Sequence, residues 1–172
     1  MKNIIFIGMP ASGKSTVGVV VAKRLGYDFI DTDLLIQKQE KRLLKEIIAD
    51  LGNDGFLAIE NRVNREVEAE HAVIAPGGSV VYCGEAMEHF KEIGKIVYLK
   101  VPFETIEGRI SSAKSRGVVL KEGQTLRDLY EERTNLCEKY ADYVVSEEGL
   151  SLEKTIDQVL TLLQSRILCY NG

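Results

Sequence analysis

The sequence has little from which to build a metal centre or a disulfide framework. Its three cysteines, Cys83, Cys137 and Cys169, are widely spaced and form no C-x-x-C pair. Neither a zinc site nor structural disulfides are indicated, and a reducing cytoplasm is the expected setting. The two histidines, His71 and His89, stand apart, so structural or surface roles outweigh metal binding. Positive charge is not in excess: the net charge is -4, which argues against a dedicated nucleic-acid or anionic-membrane surface. No apolar run approaches the ~20 residues of a membrane-spanning helix. Repeats and low-complexity linkers are missing as well, and an apolar run that begins right after Met1-Lys-Asn leaves no room for a removable leader. With 172 residues, 45% hydrophobic and 28% charged, one globular domain over 1–172 is expected.

What the sequence does contain is organised around Ile4-Ile-Phe-Ile-Gly-Met-Pro-Ala-Ser-Gly-Lys-Ser-Thr16. The apolar run predicts a central parallel strand covered on both faces. Gly8, Gly13, Lys14 and Ser15 then fit the Walker A spacing G-x-x-x-x-G-K-[ST]. Phosphate oxygens need converging backbone N–H donors and a helix N-terminus, and the glycines clear the approach. Lys14 is the candidate contact to the β- and γ-phosphates, and the Ser15 hydroxyl a candidate magnesium ligand.

Alternating strands and helices come next. Tyr27 to Asp31 reads as a strand that ends in Asp31-Thr-Asp33, where open α/β sheets bind ligands. Asp31 suits water on magnesium and Asp33 a substrate hydroxyl, but an acidic helix cap explains the same pair. Residues 34–70 read as helices interrupted at Gly52-Asn-Asp-Gly55. Their apolar stripes run through Ile47, Ile48 and Leu51, then Phe56, Ile59, Val63 and Val67, and their abundant charged residues read as a solvated face. His71 to Ala75 is a second buried strand, and it runs into Pro76-Gly77-Gly78-Ser79. The glycines there offer backbone donors or simply form a tight turn. Residues 96–101 and 143–145 complete the strands, and helices are expected over 126–140 and 152–167. Between them, about 111–124 is small, polar and aperiodic around Arg116-Gly117, which suits a lid or a disordered loop.

Taken in order, these pieces resemble the shikimate kinase family of small P-loop kinases over nearly the whole chain. The matching segments are Gly8 to Thr16, Asp31-Thr-Asp33, Phe56 with Glu60, Gly77-Gly78, Arg116, and Arg133 with Tyr140. The resemblance implies an α/β P-loop sandwich with a five-stranded parallel sheet in the order 2-3-1-4-5. It also implies ATP as co-substrate, Mg2+ as cofactor, and phosphoryl transfer to a hydroxyl of a small acid such as shikimate. Gly8, Ala11, Ser12, Gly13, Lys14, Ser15, Thr16, Arg109 and Arg116 would bind ATP, with Arg109 near the adenine. Ser15, and Asp31 through water, would hold the metal. Lys14, Asp33 and Arg116 would be catalytic, with Arg116 coming down on the lid. Asp33, Gly77, Gly78 and Arg133 would bind the acceptor, Arg133 through its carboxylate, within a helical segment of about 33–62. The resemblance points to a monomer whose partner is a small molecule. Departures fall in the acceptor pocket: Leu57 stands where the family has arginine, Ser79 replaces a third glycine, and Cys137 takes a usual tyrosine position. Ala11 also replaces a P-loop glycine, and Gly117 a lid proline. Arg62 lies on another helix face, and Arg65 is two turns from the pocket. A kinase for another hydroxylated metabolite, and an ATP-binding sensor, are the alternatives.

Overall fold

A computed structural model describes residues 3–112 and 120–168. The apolar run near the start forms strand β1 (Asn3–Ile7), buried at every position. Successive side chains leave a strand on opposite faces, so a strand that is apolar throughout needs cover on both. Ile4 and Phe6 pack with Val17 and Val21 of α1 (Lys14–Leu25) and with Val159 and Leu163 of α7 (Leu152–Leu163). Ile5 and Ile7 pack in the opposite layer with Met87 and Phe90 of α4 (Gly84–Ile93) and Cys137 of α6 (Leu126–Tyr140).

Strands β2 (Asp28–Asp31), β3 (Ala72–Ala75), β4 (Gly94–Lys100) and β5 (Tyr143–Ser146) complete a five-stranded sheet in the expected order β2-β3-β1-β4-β5. All its pairings are parallel, and Ile5 lies in register with Ile74 on one side and Ile96 on the other. Every strand therefore delivers its carboxyl end to the same edge. β3 and β4 flank β1 on opposite sides, the topological switch beside which such sheets bind ligands.

Two helices follow β2 beside that edge, α2 (Thr32–Glu40) and α3 (Leu44–Arg65). The glycine-rich interruption expected at 52–55 is a kink inside α3, where Gly52 leaves helical geometry with φ 68° and ψ -173°. Leu51, expected in an apolar stripe, sits at that break and is 49% exposed. Ile47, Phe56 and Val63 instead pack against Ile36 of α2. His71, read from sequence as a strand residue, precedes β3 with φ 56°. α5 (Phe103–Ser112) takes in Ser111 and Ser112, the first residues assigned to the lid. Residues 113–119, with Arg116 and Gly117, lie outside the described residues.

The edge opposite the site is tied together by one buried amide. Asn3 Nδ2 donates to the carbonyls of Ala69 at 2.6 Å and Ile93 at 3.1 Å, while its Oδ1 accepts from the Ala72 N–H at 3.0 Å. One side chain thus joins β1 to the segments entering β3 and β4. Asn3→Ala leaves these groups without that partner and is expected to lower stability by about 3 kcal/mol in urea unfolding. A loss below about 1 kcal/mol would show that the sheet edge does not depend on it.

Candidate active site

The phosphate loop is a direct result of the burial of β1. The chain must leave the sheet edge and turn at once into α1, so Gly8 adopts φ 155° and Gly13, the cap of α1, φ 87°. A Cβ on Gly8 would lie 2.8 Å from the Leu99 carbonyl oxygen. Ala11 takes left-handed geometry without the freedom of glycine, at φ 61°, a conformation that costs an L-residue about 1 kcal/mol. The first turn of α1 contains no acidic residue, leaving its N-terminal dipole open to an anion. Lys14 is buried, and its Nζ donates to the carbonyls of Gly8 at 3.0 Å and Met9 at 2.9 Å and to Ser12 Oγ at 3.4 Å. Its charge therefore lies within the loop, while Ser15 and Thr16 are exposed at its mouth.

Asp31 is a helix cap, one of the two readings the sequence left open, and its second oxygen faces the phosphate loop. Its Oδ1 caps α2, accepting from the N–H groups of Asp33 at 3.0 Å and Leu34 at 3.3 Å. Its Oδ2 accepts from Ser15 Oγ at 3.1 Å. This contact brings the two candidate metal residues together across the gap between α1 and β2. A hydroxyl and a single carboxylate suit magnesium, which keeps most of its waters and takes its remaining ligands from phosphate. No group of three or more His, Cys, Asp or Glu residues that would form an all-protein cage occurs among the described residues.

Asp33, Gly77 and Gly78 converge beside the phosphate loop. A Cβ on Gly78 would come within 2.9 Å of the Pro10 nitrogen, so the second glycine loop packs directly on the first. A Cβ on Gly77 would lie 2.8 Å from Asp33 Oδ1 and 2.7 Å from Glu60 Oε1. Two carboxyl groups from different helices thus close on one point above Gly77. Glu60 is fully buried, and its Oε2 accepts from Ser79 Oγ at 2.6 Å. Its Oε1 is buried with no hydrogen-bond partner. Burial is the main force raising the Glu60 carboxyl from 4.5 to about 7, and nearby Asp33 adds to it. The Ser79 hydrogen bond and the charges of Arg133 and Lys14 pull the other way.

Arg133 reaches this region from α6. It is buried, its guanidinium lies 5.4 Å from the Tyr82 ring centre, and its Nε has no hydrogen-bond partner. The Tyr82 hydroxyl donates to Glu132. Arg65 does not enter the pocket: its Nη1 pairs with Glu85 Oε2 at 2.8 Å on the surface. Arg62 pairs with Glu40 at 2.5 Å, again away from the pocket. Leu57 packs against the apolar layer that contains Ile74 and Met87. Arg109 lies across the phosphate loop, with Nη1 on the Ala11 carbonyl at 3.0 Å and Nη2 on Glu147 Oε2 at 3.2 Å. The Arg116 expectation lies outside the described residues.

Sequence reasoning gave no role to Glu60, Tyr82 or Glu147. Glu60 had a signal: it falls four residues after Phe56 and three before Val63, within the apolar stripe. A charge in that position is buried, not solvated. Glu147, whose side chain is 5% exposed, comes just after β5 at the same sheet edge as the phosphate loop. Nothing local in the sequence distinguishes it from its neighbour Glu148.

Comparison with known proteins agrees with this geometry. The family model described as shikimate kinase matches residues 10–164. A shikimate kinase of Persephonella marina is 32% identical over 161 residues, covering 93% of this chain and 98% of that protein. One from Clostridium botulinum is 39% identical over 143 residues, covering 81% and 84% respectively. The structure of a shikimate kinase from Acinetobacter baumannii in complex with shikimate superposes with a TM-score of 0.88, at 30% identity, covering 98% of this chain and 96% of that one.

The buried carboxyl of Glu60 also sets a dependence of stability on pH. Because folding raises its pKa from 4.5 to about 7, the group's contribution is fully present below about pH 4.5 and is lost as pH rises through 7. The span is on the order of 3 kcal/mol. Glu60→Gln is expected to flatten this decline in urea midpoints measured across the interval, and an unchanged slope would assign it to other groups.

Proposed function

The chain belongs to the shikimate kinase family, and on that premise we propose that it transfers the γ-phosphoryl group of ATP to a hydroxyl of shikimate, forming shikimate 3-phosphate. The observation that carries the reading is the Ser15–Asp31 contact. It links the phosphate loop to the helix whose first turn holds Asp33 above Gly77. Support for the acceptor comes from the shikimate complex of the 30% identical Acinetobacter enzyme.

In this reading Lys14 turns from the loop carbonyls to the β- and γ-phosphates. The backbone N–H groups between Gly8 and Thr16 hold the remaining phosphate oxygens. Magnesium would be held by Ser15 and, through water, by Asp31, and would supply positive charge that neutralises the phosphates. Asp33 orients the acceptor hydroxyl and accepts its proton as that oxygen bonds to the γ-phosphorus. The bond from the γ-phosphorus to its bridging oxygen breaks, and ADP leaves. Gly77 and Gly78 offer backbone donors to the acceptor, and Arg133 takes its carboxylate as a charge-assisted pair. Arg109, beside Ala11, borders the adenine, and Arg116 brings further charge with the lid segment of about 111–124. Catalysis of this kind is mainly positioning and charge stabilisation. Buried free thiols at Cys83 and Cys137 suit a reducing cytoplasm.

One observation favours a second reading, a kinase for a related hydroxylated acid: Leu57 leaves the acceptor carboxylate with one guanidinium fewer. Purified protein with ATP and magnesium is expected to release ADP in a shikimate-dependent manner, with shikimate phosphate detected by mass spectrometry. Lys14→Ala is expected to lower that rate at least about a hundredfold while unfolding cooperatively. Absence of stimulation by shikimate, with ATP binding intact, would overturn the acceptor. Leu57→Arg is expected to raise kcat/KM for shikimate by about ten- to a hundredfold. No gain would show that the missing charge is supplied from elsewhere in the pocket.

A further inference from the structure

Glu60 stands one helical turn beyond Leu57 on α3, the position at which the family pattern carries arginine. A guanidinium there would be a natural partner for a buried carboxylate. Here, among the described residues, no salt bridge reaches Glu60, and its hydrogen bond to Ser79 leaves Oε1 without one. We propose that Glu60 completes the acceptor clamp as a neutral carboxyl, donating a hydrogen bond from Oε1 to the acceptor where the family pattern supplies an arginine. The inference rests on the acceptor reading of the proposed function and deepens it.

Assigning the Ser79 hydroxyl as donor leaves Oε1 as the oxygen available to carry the proton. Ser79 Oγ donates to Oε2 at 2.6 Å, so Oε2 is already used as an acceptor. Oε1 is the oxygen that comes within 2.7 Å of the Cβ position above Gly77, the point that Asp33 Oδ1 approaches to 2.8 Å. A proton on Oε1 turns one of two converging acceptors into a donor. It also removes a negative charge from a pocket that must admit an acid. An ionised Glu60 would face both Asp33 and the acceptor's carboxylate with like charge, in a site that excludes water from the Glu60 side chain.

The charged and titratable groups around Glu60 come from every neighbouring element. Asp33 of α2 disfavours its ionisation, while Arg133 of α6, Lys14 of α1 and the Ser79 hydroxyl favour it. The Cys83 thiol, just before α4, is itself pushed up to about 12, by burial first and then by Glu60, and so stays neutral. Burial outweighs the favourable contacts and leaves the midpoint near 7.

The test uses the 172-residue chain. Wild-type kcat/KM for shikimate is expected to fall about tenfold from about pH 6 to about pH 8, chiefly through KM for the acceptor. Glu60→Gln keeps the shape and a permanent N–H donor. It is expected to lose less than about tenfold at low pH and to abolish the dependence. Ser79→Ala removes a contact that favours ionisation and is expected to move the midpoint up, whereas Leu57→Arg moves it down. A purely structural Glu60 would shift neither midpoint. In parallel, the carboxyl carbon of Glu60, labelled with carbon-13 and assigned by its loss in Glu60→Gln, is expected to titrate near 7 in the protein without substrate. An unchanged pH profile in Glu60→Gln, or a carboxyl that titrates in the ordinary range near 4.5, would overturn the proposal. If shikimate is not phosphorylated at any pH, the functional reading falls. The carboxyl titration then decides the proton on its own, a midpoint near 7 supporting it and one near 4.5 removing it.

Discussion

The whole site depends on the burial of β1 on both faces. Ile4 and Phe6 are locked into one helical layer and Ile5 and Ile7 into the other, so a slip of one residue would move each pair into a layer packed around the other. The chain just beyond β1 is therefore fixed in space. The loop from Gly8 to Gly13 must pass close to the Leu99 carbonyl and open into α1, whose N-terminal dipole favours an anion. Because β3 and β4 lie in parallel register on either side, their carboxyl ends reach the same crevice. Gly77 and the residues after β4 are thus placed by the sheet as well as by their own loops.

A second level of order comes from side chains that serve two elements at once. Asp31 caps α2 with one oxygen and meets Ser15 with the other. Structural and functional readings of this residue are not rivals, because a carboxylate has lone pairs enough for both. Cap formation also aims Asp33, two residues on, toward Gly77. Arg109 similarly bridges the Ala11 carbonyl and the buried Glu147 carboxylate. The strained Ala11 turn is thereby held from outside the loop.

The sheet and the phosphate loop were legible because their signals are local. Runs of apolar residues between glycines, the Walker A spacing, and the Asp31-Thr-Asp33 step each reflect constraints on a few consecutive residues. Interruption of α3 was readable at Gly52, but the exposure of Leu51 was not, since it ends the first stripe at the break and local spacing does not show what packs beside it. Glu60 was singled out with Phe56 by the family resemblance, but its burial was obscured by composition. Its segment is rich in Glu, Lys and Arg, and that abundance favoured a solvated face over the narrower observation that Phe56, Glu60 and Val63 share one stripe. Glu147 and Asn3 are different cases. Each acts on partners far away in sequence, and no spacing rule connects Asn3 to Ala69 and Ile93 or Glu147 to Arg109.

The acceptor pocket shows how one lost charge propagates. Leu57 stands where the family resemblance expects arginine and brings no charge to the buried Glu60 carboxyl, and a buried carboxylate that is only partly compensated is costly. Three remedies exist: expose the group, neutralise it, or recruit another cation. Exposure is blocked, because Glu60 shares its face with Phe56 and Val63 in the α2–α3 core. Among the described residues Arg62 and Arg65 are held by Glu40 and Glu85 on other faces, and the charges of Arg133 and Lys14 are outweighed by burial. Neutralisation is what remains. Ser79 then takes on a specific meaning, because its hydroxyl favours the ionised form and limits how far burial drives the pKa upward. A glycine there would leave Glu60 neutral over a wider range of pH. The hydroxyl brings its titration back toward neutrality, where a change of proton occupancy alters the pocket's charge without moving its backbone.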